Sequence, residues 1–143
     1  MYDLFAKNTG GILGDDMGLG KTIQTIAFLT AVLSPEFGHR RVLIVAPASV
    51  LAQWQDEMKK VHLLGILIPV PCSRQLQWGL TRAVLFHGSE RDTQLLRIRN
   101  KTMNIMLTSY ETLTRDVAVL CLLDWAIVIL DGARPLLVPA SHQ

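Results

Sequence analysis

Short runs of β-branched and other apolar residues, each closed by turn formers and followed by a segment of helical period, constrain this chain more than any other feature. Val42-Leu43-Ile44-Val45-Ala46 is unbroken apolar chain stopped by Pro47, the pattern of a strand buried on both faces of a parallel sheet. Val84-Leu85-Phe86, closed by Gly88, and Ile105-Met106-Leu107 repeat it, and Trp125-Ala126-Ile127-Val128-Ile129-Leu130 is a last buried run ending in Asp131. Helical patterns lie between them. Val50, Leu51, Trp54, Met58 and Val61 recur at three- and four-residue steps, Leu95, Leu96 and Ile98 mark a second helix, and residues 110–123 a third. Strands alternating with helices imply an α/β fold with a doubly wound, mostly parallel sheet, whose ligand site lies at the carboxyl ends of the strands.

The 143 residues are one domain's worth, and 50% hydrophobic against 18% charged residues suits a globular core rather than a disordered chain. A net charge of +2 assigns no partner, and Arg40-Arg41 and Lys59-Lys60 read as solvated surface. Cys72 and Cys121 lack C-x-x-C spacing and His39, His62, His87 and His142 have no i,i+4 partner, so these residues indicate neither a disulfide framework nor a zinc site. A reducing compartment is expected. Apolar runs such as residues 117–123 are far shorter than the roughly 20 residues that span a bilayer, and Met1-Tyr2-Asp3 does not open a signal peptide. The expectation is a soluble intracellular protein with no membrane partner. Two stretches break the alternation: residues 62–82, with Pro69 and Pro71, read as a loop insertion, and residues 132–143, with Pro135 and Pro139, as an irregular tail. The packed domain is then residues 1–131.

Chemistry concentrates in Gly14-Asp15-Asp16-Met17-Gly18-Leu19-Gly20-Lys21-Thr22. Gly11-Ile12-Leu13 reads as the end of a strand, and residues 23–33 as a helix apolar on nearly every side and therefore deeply packed. At such a handover the loop N–H groups and the positive end of the helix dipole face phosphates. Lys21 would reach the β and γ oxygens and the Thr22 hydroxyl would hold Mg²⁺, which points to ATP or GTP. Asp15 stands where the strict pattern has its first glycine, so the match is to the shorter Gly18-Leu19-Gly20-Lys21-Thr22 core, and a chance glycine-rich turn is the competing reading. Asp131 suits the strand-end acid that holds Mg²⁺ through water beside a phosphate loop, although aspartate is also an ordinary turn former. Gly132, Ala133 and Arg134 follow it and supply no carboxylate to deprotonate an attacking water. Ser49 and Ser109 come just after strands, where serine either caps the next helix or grips a backbone phosphate.

Taken in order, the loop from Gly11 to Thr22, the segment Leu43-Ile44-Val45-Ala46-Pro47-Ala48-Ser49-Val50-Leu51 with Trp54, and Leu107-Thr108-Ser109-Tyr110-Glu111-Thr112-Leu113 resemble the Swi/Snf-type helicase-related ATPases of superfamily two. Gly14-Asp15-Asp16-Met17 and Val84-Leu85-Phe86-His87-Gly88 are most similar to the excision-repair-like branch. The resemblance covers residues 9–61 and 83–131. It implies a nuclear, ATP-driven motor on double-stranded DNA or chromatin, built from two RecA-like lobes with ATP between them. This chain resembles the first lobe alone, an incomplete sheet with the second lobe absent. The resemblance further implies that Asp16, Met17, Gly18, Leu19, Gly20, Lys21 and Thr22 surround ATP and Mg²⁺, and that Lys21 and Asp131 are catalytic. Asp131 would be the first acid of an Asp-Glu-x-His box, and Pro47, Ser49, Thr108 and Ser109 would lie along the DNA.

Departures from the family pattern shape the expectation. Gly132 and Arg134 stand where the box has Glu and His, no Leu-Lys-Asn segment follows, and the adenine-contacting glutamine region is missing before Met1. The chain therefore reads as a truncated or alternatively spliced product, or an imperfectly read gene. A lost general base costs about 10² to 10⁴ in rate and a lost arginine finger about 10³ to 10⁵, so the expectation is nucleotide binding without efficient hydrolysis. The alternative is a non-catalytic module that competes with full-length motors; a small-molecule kinase would need a substrate lid and catalytic residues that this sequence does not offer.

Overall fold

The computed structural model describes residues 1–14, 20–33, 40–67 and 83–132. Its centre is a parallel sheet of strands β1 (Val42–Ala46), β2 (Ala83–Phe86), β3 (Ile105–Ser109) and β4 (Ile127–Leu130), in the order β2-β3-β1-β4. The two inner strands, β1 and β3, are buried at every residue. The apolar runs Val42–Ala46 and Ile105-Met106-Leu107 demand that, because alternate side chains point to opposite faces and each needs apolar cover, while Thr108 is buried with its hydroxyl bonded to the Phe86 carbonyl.

Helices supply the cover on both sides. Helices α2 (Lys21–Val32) and α3 (Leu51–Leu67) bring Ile26, Leu29, Leu51, Trp54 and Met58 against Val42, Ile44 and Leu107. On the other face α4 (Arg91–Arg99) and α5 (Tyr110–Leu120) bring Ile98 and Leu120 against Leu43, Val45, Phe86 and Met106. The residues of β1 thus divide by period two between two cores. This is the doubly wound α/β arrangement that the alternation implies. A short α1 (Tyr2–Ala6), with no counterpart in the sequence pattern, is anchored by Phe5, whose ring meets Phe28 edge-on at 5.9 Å and lies 4.9 Å from the Arg40 guanidinium.

Several boundaries differ from expectation. Residues 11–13 form no strand, and Ile12 is 98% exposed. A strand exists only through ladder hydrogen bonds, and among the described residues β4 pairs with β1 alone, leaving this segment outside the sheet. Instead the chain folds back on α1: Thr9 donates through both N–H and hydroxyl to the Leu4 carbonyl, and the Leu4 side chain fills the place a Cβ on Gly11 would take. The α2 helix is not buried all round, since Ile23 is half exposed and Ala27 and Ala31 face solvent. Its buried stripe is the ordinary one-sided kind.

Part of the expected insertion is helix, because α3 is helical as far as Leu67, the last residue described there. Residues 68–82 and 133–143 lie outside the described residues. At the end of the sheet α5 stops at Leu120 and β4 starts at Ile127, not Trp125, because the Trp125 indole donates to the Leu120 carbonyl at 2.8 Å and closes the turn between them. Nor is β4 buried throughout: Ile127 and Ile129 face the α2/α3 core, while Val128 and Leu130 on the opposite face are more than half exposed.

Candidate functional site

The carboxyl edge of the sheet carries several of the residues expected at the site. After β1, Pro47 leads into a 3-10 turn over Ala48–Val50, with Ser49 exposed and Pro47 partly so. After β3, Ser109 begins α5, and after β4 come Asp131 and Gly132. The start of α2 belongs to this edge as well. Phe28, in the second half of α2, packs on Phe5 beneath Arg40, and Arg40 is two residues before β1 begins at the amino edge, so α2 runs against the strand direction. Its first turn therefore lies toward the carboxyl ends.

That first turn begins on a glycine. Gly20 stands at the helix N-cap with φ +73, a left-handed conformation that costs glycine little, and no side chain caps the turn. The positive end of the helix dipole lies at this turn. Lys21 and Thr22 open the helix and are half-buried. Asp16, Met17, Gly18 and Leu19 lie outside the described residues.

Asp131 is held from three sides. Its N–H donates to the Val45 carbonyl at 2.8 Å, fixing it to β1. Its carbonyl accepts from the Tyr110 hydroxyl at 3.0 Å, and its Oδ2 accepts from the Trp54 indole at 2.8 Å. Neither Trp54 nor Tyr110 was singled out for this role by the sequence. The available signal was general: a buried indole N–H must find an acceptor, and the nearest acid at a strand end was Asp131.

Burial first, and the Asp131 charge second, push the Tyr110 phenol above its usual value of 10.0. A raised folded-state pKa means that the phenol's contribution to stability is complete below pH 10.0 and is lost as pH climbs through the raised value. Tyr110→Phe is accordingly expected to be less stable than wild type by about 1 kcal/mol near neutrality, a gap that closes in alkaline solution. Urea midpoints from pH 7 to 11 measure this; a gap independent of pH would contradict the bond.

Gly132 occupies a constrained place. Its φ is +64, and a Cβ there would sit 3.3 Å from Pro47 Cγ and 3.4 Å from Cδ. Placing Glu at this position, where the resembled box has one, is expected to cost about 1 to 2 kcal/mol in backbone conformation alone, with Pro47 having to yield as well. Denaturation of Gly132→Glu measures it, and an unchanged midpoint would show that the turn relaxes freely.

The four expected DNA positions divide into two pairs. Pro47 and Ser49 reach the surface, whereas Thr108 is fully buried with its hydroxyl donating to the Phe86 carbonyl at 3.1 Å. Ser109 is 1% exposed, and its Oγ accepts from the Thr112 N–H at 3.2 Å as a helix cap. Capping, one of the two uses the sequence left open for Ser109, is present; Thr108 and Ser109 shape the loop after β3 from inside. Glu111, beside them and exposed, has its carboxyl held below the usual carboxylate range by its own main-chain N–H and then by the Ser109 hydroxyl.

The donor set suits Mg²⁺. Among the described residues no three His, Cys, Asp or Glu gather into a closed cage, and one carboxylate and one hydroxyl are what a magnesium ion takes when phosphates and water fill its other positions. Thr22 and Asp131 offer one hydroxyl and one carboxylate of that kind.

The pattern described as the SNF2-related domain matches residues 1–142. The chain belongs to the SNF2-related domain family. It is 36% identical over 166 residues to the mouse (Mus musculus) "DNA excision repair protein ERCC-6-like 2", covering 99% of this chain and 10% of that protein. To "Switch 2" of Arabidopsis thaliana it is 36% identical over 147 residues, covering 95% of this chain and 15% of the relative. "Transcription regulatory protein SNF2" of Saccharomyces cerevisiae is 33% identical over 134 residues, 92% of this chain and 7% of the relative. The solved "Sulfolobus solfataricus SWI2/SNF2 ATPase core in complex with dsDNA" superposes with a TM-score of 0.66 at 29% identity, over 91% of this chain and 23% of that one. This SNF2-related chain thus corresponds to a small part of each relative. No helix among its described residues is long and apolar enough to cross a membrane.

Proposed function

We propose that this SNF2-related chain is the ATP-binding part of a nuclear, DNA-dependent ATPase of the Swi/Snf type. Lys21 and Thr22, with Gly18 and Gly20 just before them in sequence, would take the terminal phosphates, and Thr22 and Asp131 would hold Mg²⁺, which neutralises phosphate charge when bound. The reading is carried by one observation: Asp131 is fixed by three elements on the edge to which the uncapped start of α2 belongs. Pro47 and Ser49 would meet double-stranded DNA, as the DNA complex of the Sulfolobus solfataricus ATPase core suggests, with Thr108 and Ser109 supporting them from beneath. Work on chromatin or in repair is proposed from the relatives' names.

Hydrolysis by this chain alone is a different matter. Gly132 in its left-handed turn stands where a general base would be needed, which favours a module that binds nucleotide without turning it over and that could compete with full-length motors. The test is phosphate release with and without double-stranded DNA. No release above background in either case, together with measurable nucleotide affinity, is expected; Lys21-dependent release that rises on adding DNA would overturn the non-hydrolysing reading.

A further inference from the structure

We infer that Trp54 is a positioning residue for magnesium: its indole N–H occupies one oxygen of Asp131 and so aims the carboxylate at the ion. This rests on the proposed role of Asp131. Trp54 is on the first turn of α3 and is 2% exposed, yet its Nε1 emerges from the core to meet Asp131 Oδ2 at 2.8 Å across 77 positions of sequence. An aspartate that merely ends a strand is served by its main-chain bonds. Here those bonds already exist, to Val45 and Tyr110, and the indole adds a constraint on the side chain alone.

An aspartate on an exposed edge would rotate about χ1 and χ2, and metal binding would have to select one rotamer from several. A buried indole has no such freedom. Its flat body is clamped with Leu51 and Met58 in the α2/α3 core, so the N–H points in a fixed direction and the carboxylate inherits it. The bond uses Oδ2, so Oδ1 is the oxygen that would meet magnesium or its water. Ligand-orienting hydrogen bonds of this kind typically alter metal affinity by about 10- to 100-fold when removed. The residue also joins two segments, the stretch around Trp54 and the strand-end acid, that the sequence presents as separate motifs.

The test uses the full chain. In Trp54→Phe, which keeps an aromatic ring in the core and deletes the donor, the gain in ADP affinity on adding Mg²⁺ is expected to fall about 10-fold, while ADP affinity in EDTA stays unchanged. In an Asp131→Asn background the same substitution should change neither value. Equal weakening with and without Mg²⁺ would reduce Trp54 to a structural residue and overturn the inference, as would an unchanged magnesium gain. A second measurement needs no tryptophan variant. With Mn²⁺ and ADP bound, the Trp54 indole N–H resonance should broaden in wild type. Bound Mn²⁺ and ADP without that broadening would overturn the inference and leave the nucleotide site standing; no nucleotide binding by wild type would remove both.

Discussion

Leu107→Ala is expected to lower the stability of the chain by about 2 to 5 kcal/mol, a large part of the 5 to 15 kcal/mol typical of a folded domain. Leu107 is completely buried on β3, between β1 and β2, and its side chain belongs to the core under α2 and α3. Truncation there forfeits transfer energy and leaves a cavity that flanking strands, hydrogen-bonded on both sides, cannot easily collapse to fill. Leu122, which is 83% exposed, is the control, and its alanine variant should stay within about 0.5 kcal/mol of wild type. Urea denaturation of the two variants decides the matter. Similar midpoints would mean that the sheet is not the core described here.

The second large effect concerns binding. Lys21→Ala is expected to weaken ADP and ATP affinity by about 10- to 100-fold, since hydrogen bonds to charged groups contribute about 1.5 to 3 kcal/mol and 1.4 kcal/mol is a factor of ten. The substitution falls on the first residue of α2, where alanine is at least as good a helix former as lysine, and the buried residues of the helix begin only at Thr25. Folding should therefore survive, and loss of affinity can be read as loss of a phosphate contact. Displacement of a fluorescent ADP analogue measures it. Affinity unchanged in a folded variant would place the phosphates elsewhere.

How much of this was legible beforehand differs from element to element. The strands at 42–46 and 105–107 announced themselves because a strand covered on both faces is largely apolar, and the second continues through the polar pair Thr108 and Ser109, which its apolar pattern did not include. The face of α3 was equally plain in Leu51, Trp54 and Met58. Gly11-Ile12-Leu13 looked the same locally and formed no strand, because strand formation depends on a neighbour that three residues cannot specify. Trp125 looked like strand and became a turn staple, since its apolar character says nothing about where its N–H will bond. Motif spacing put Asp131 at the end of a strand and the Gly20-Lys21-Thr22 segment at the head of a helix, where the structure has them. The bonds from Trp54 and Tyr110 could not be read from it, as they join residues 77 and 21 positions apart. Likewise the burial of Thr108 and Ser109 depends on the packing of α5 against the sheet, to which short motifs are blind.

Calorimetric titration of the folded wild-type chain with ADP and Mg²⁺ tests the central claim most directly. A single saturable site, weakened by EDTA and by Lys21→Ala, is the predicted result. No heat of binding, or a titration that neither change alters, would contradict the account.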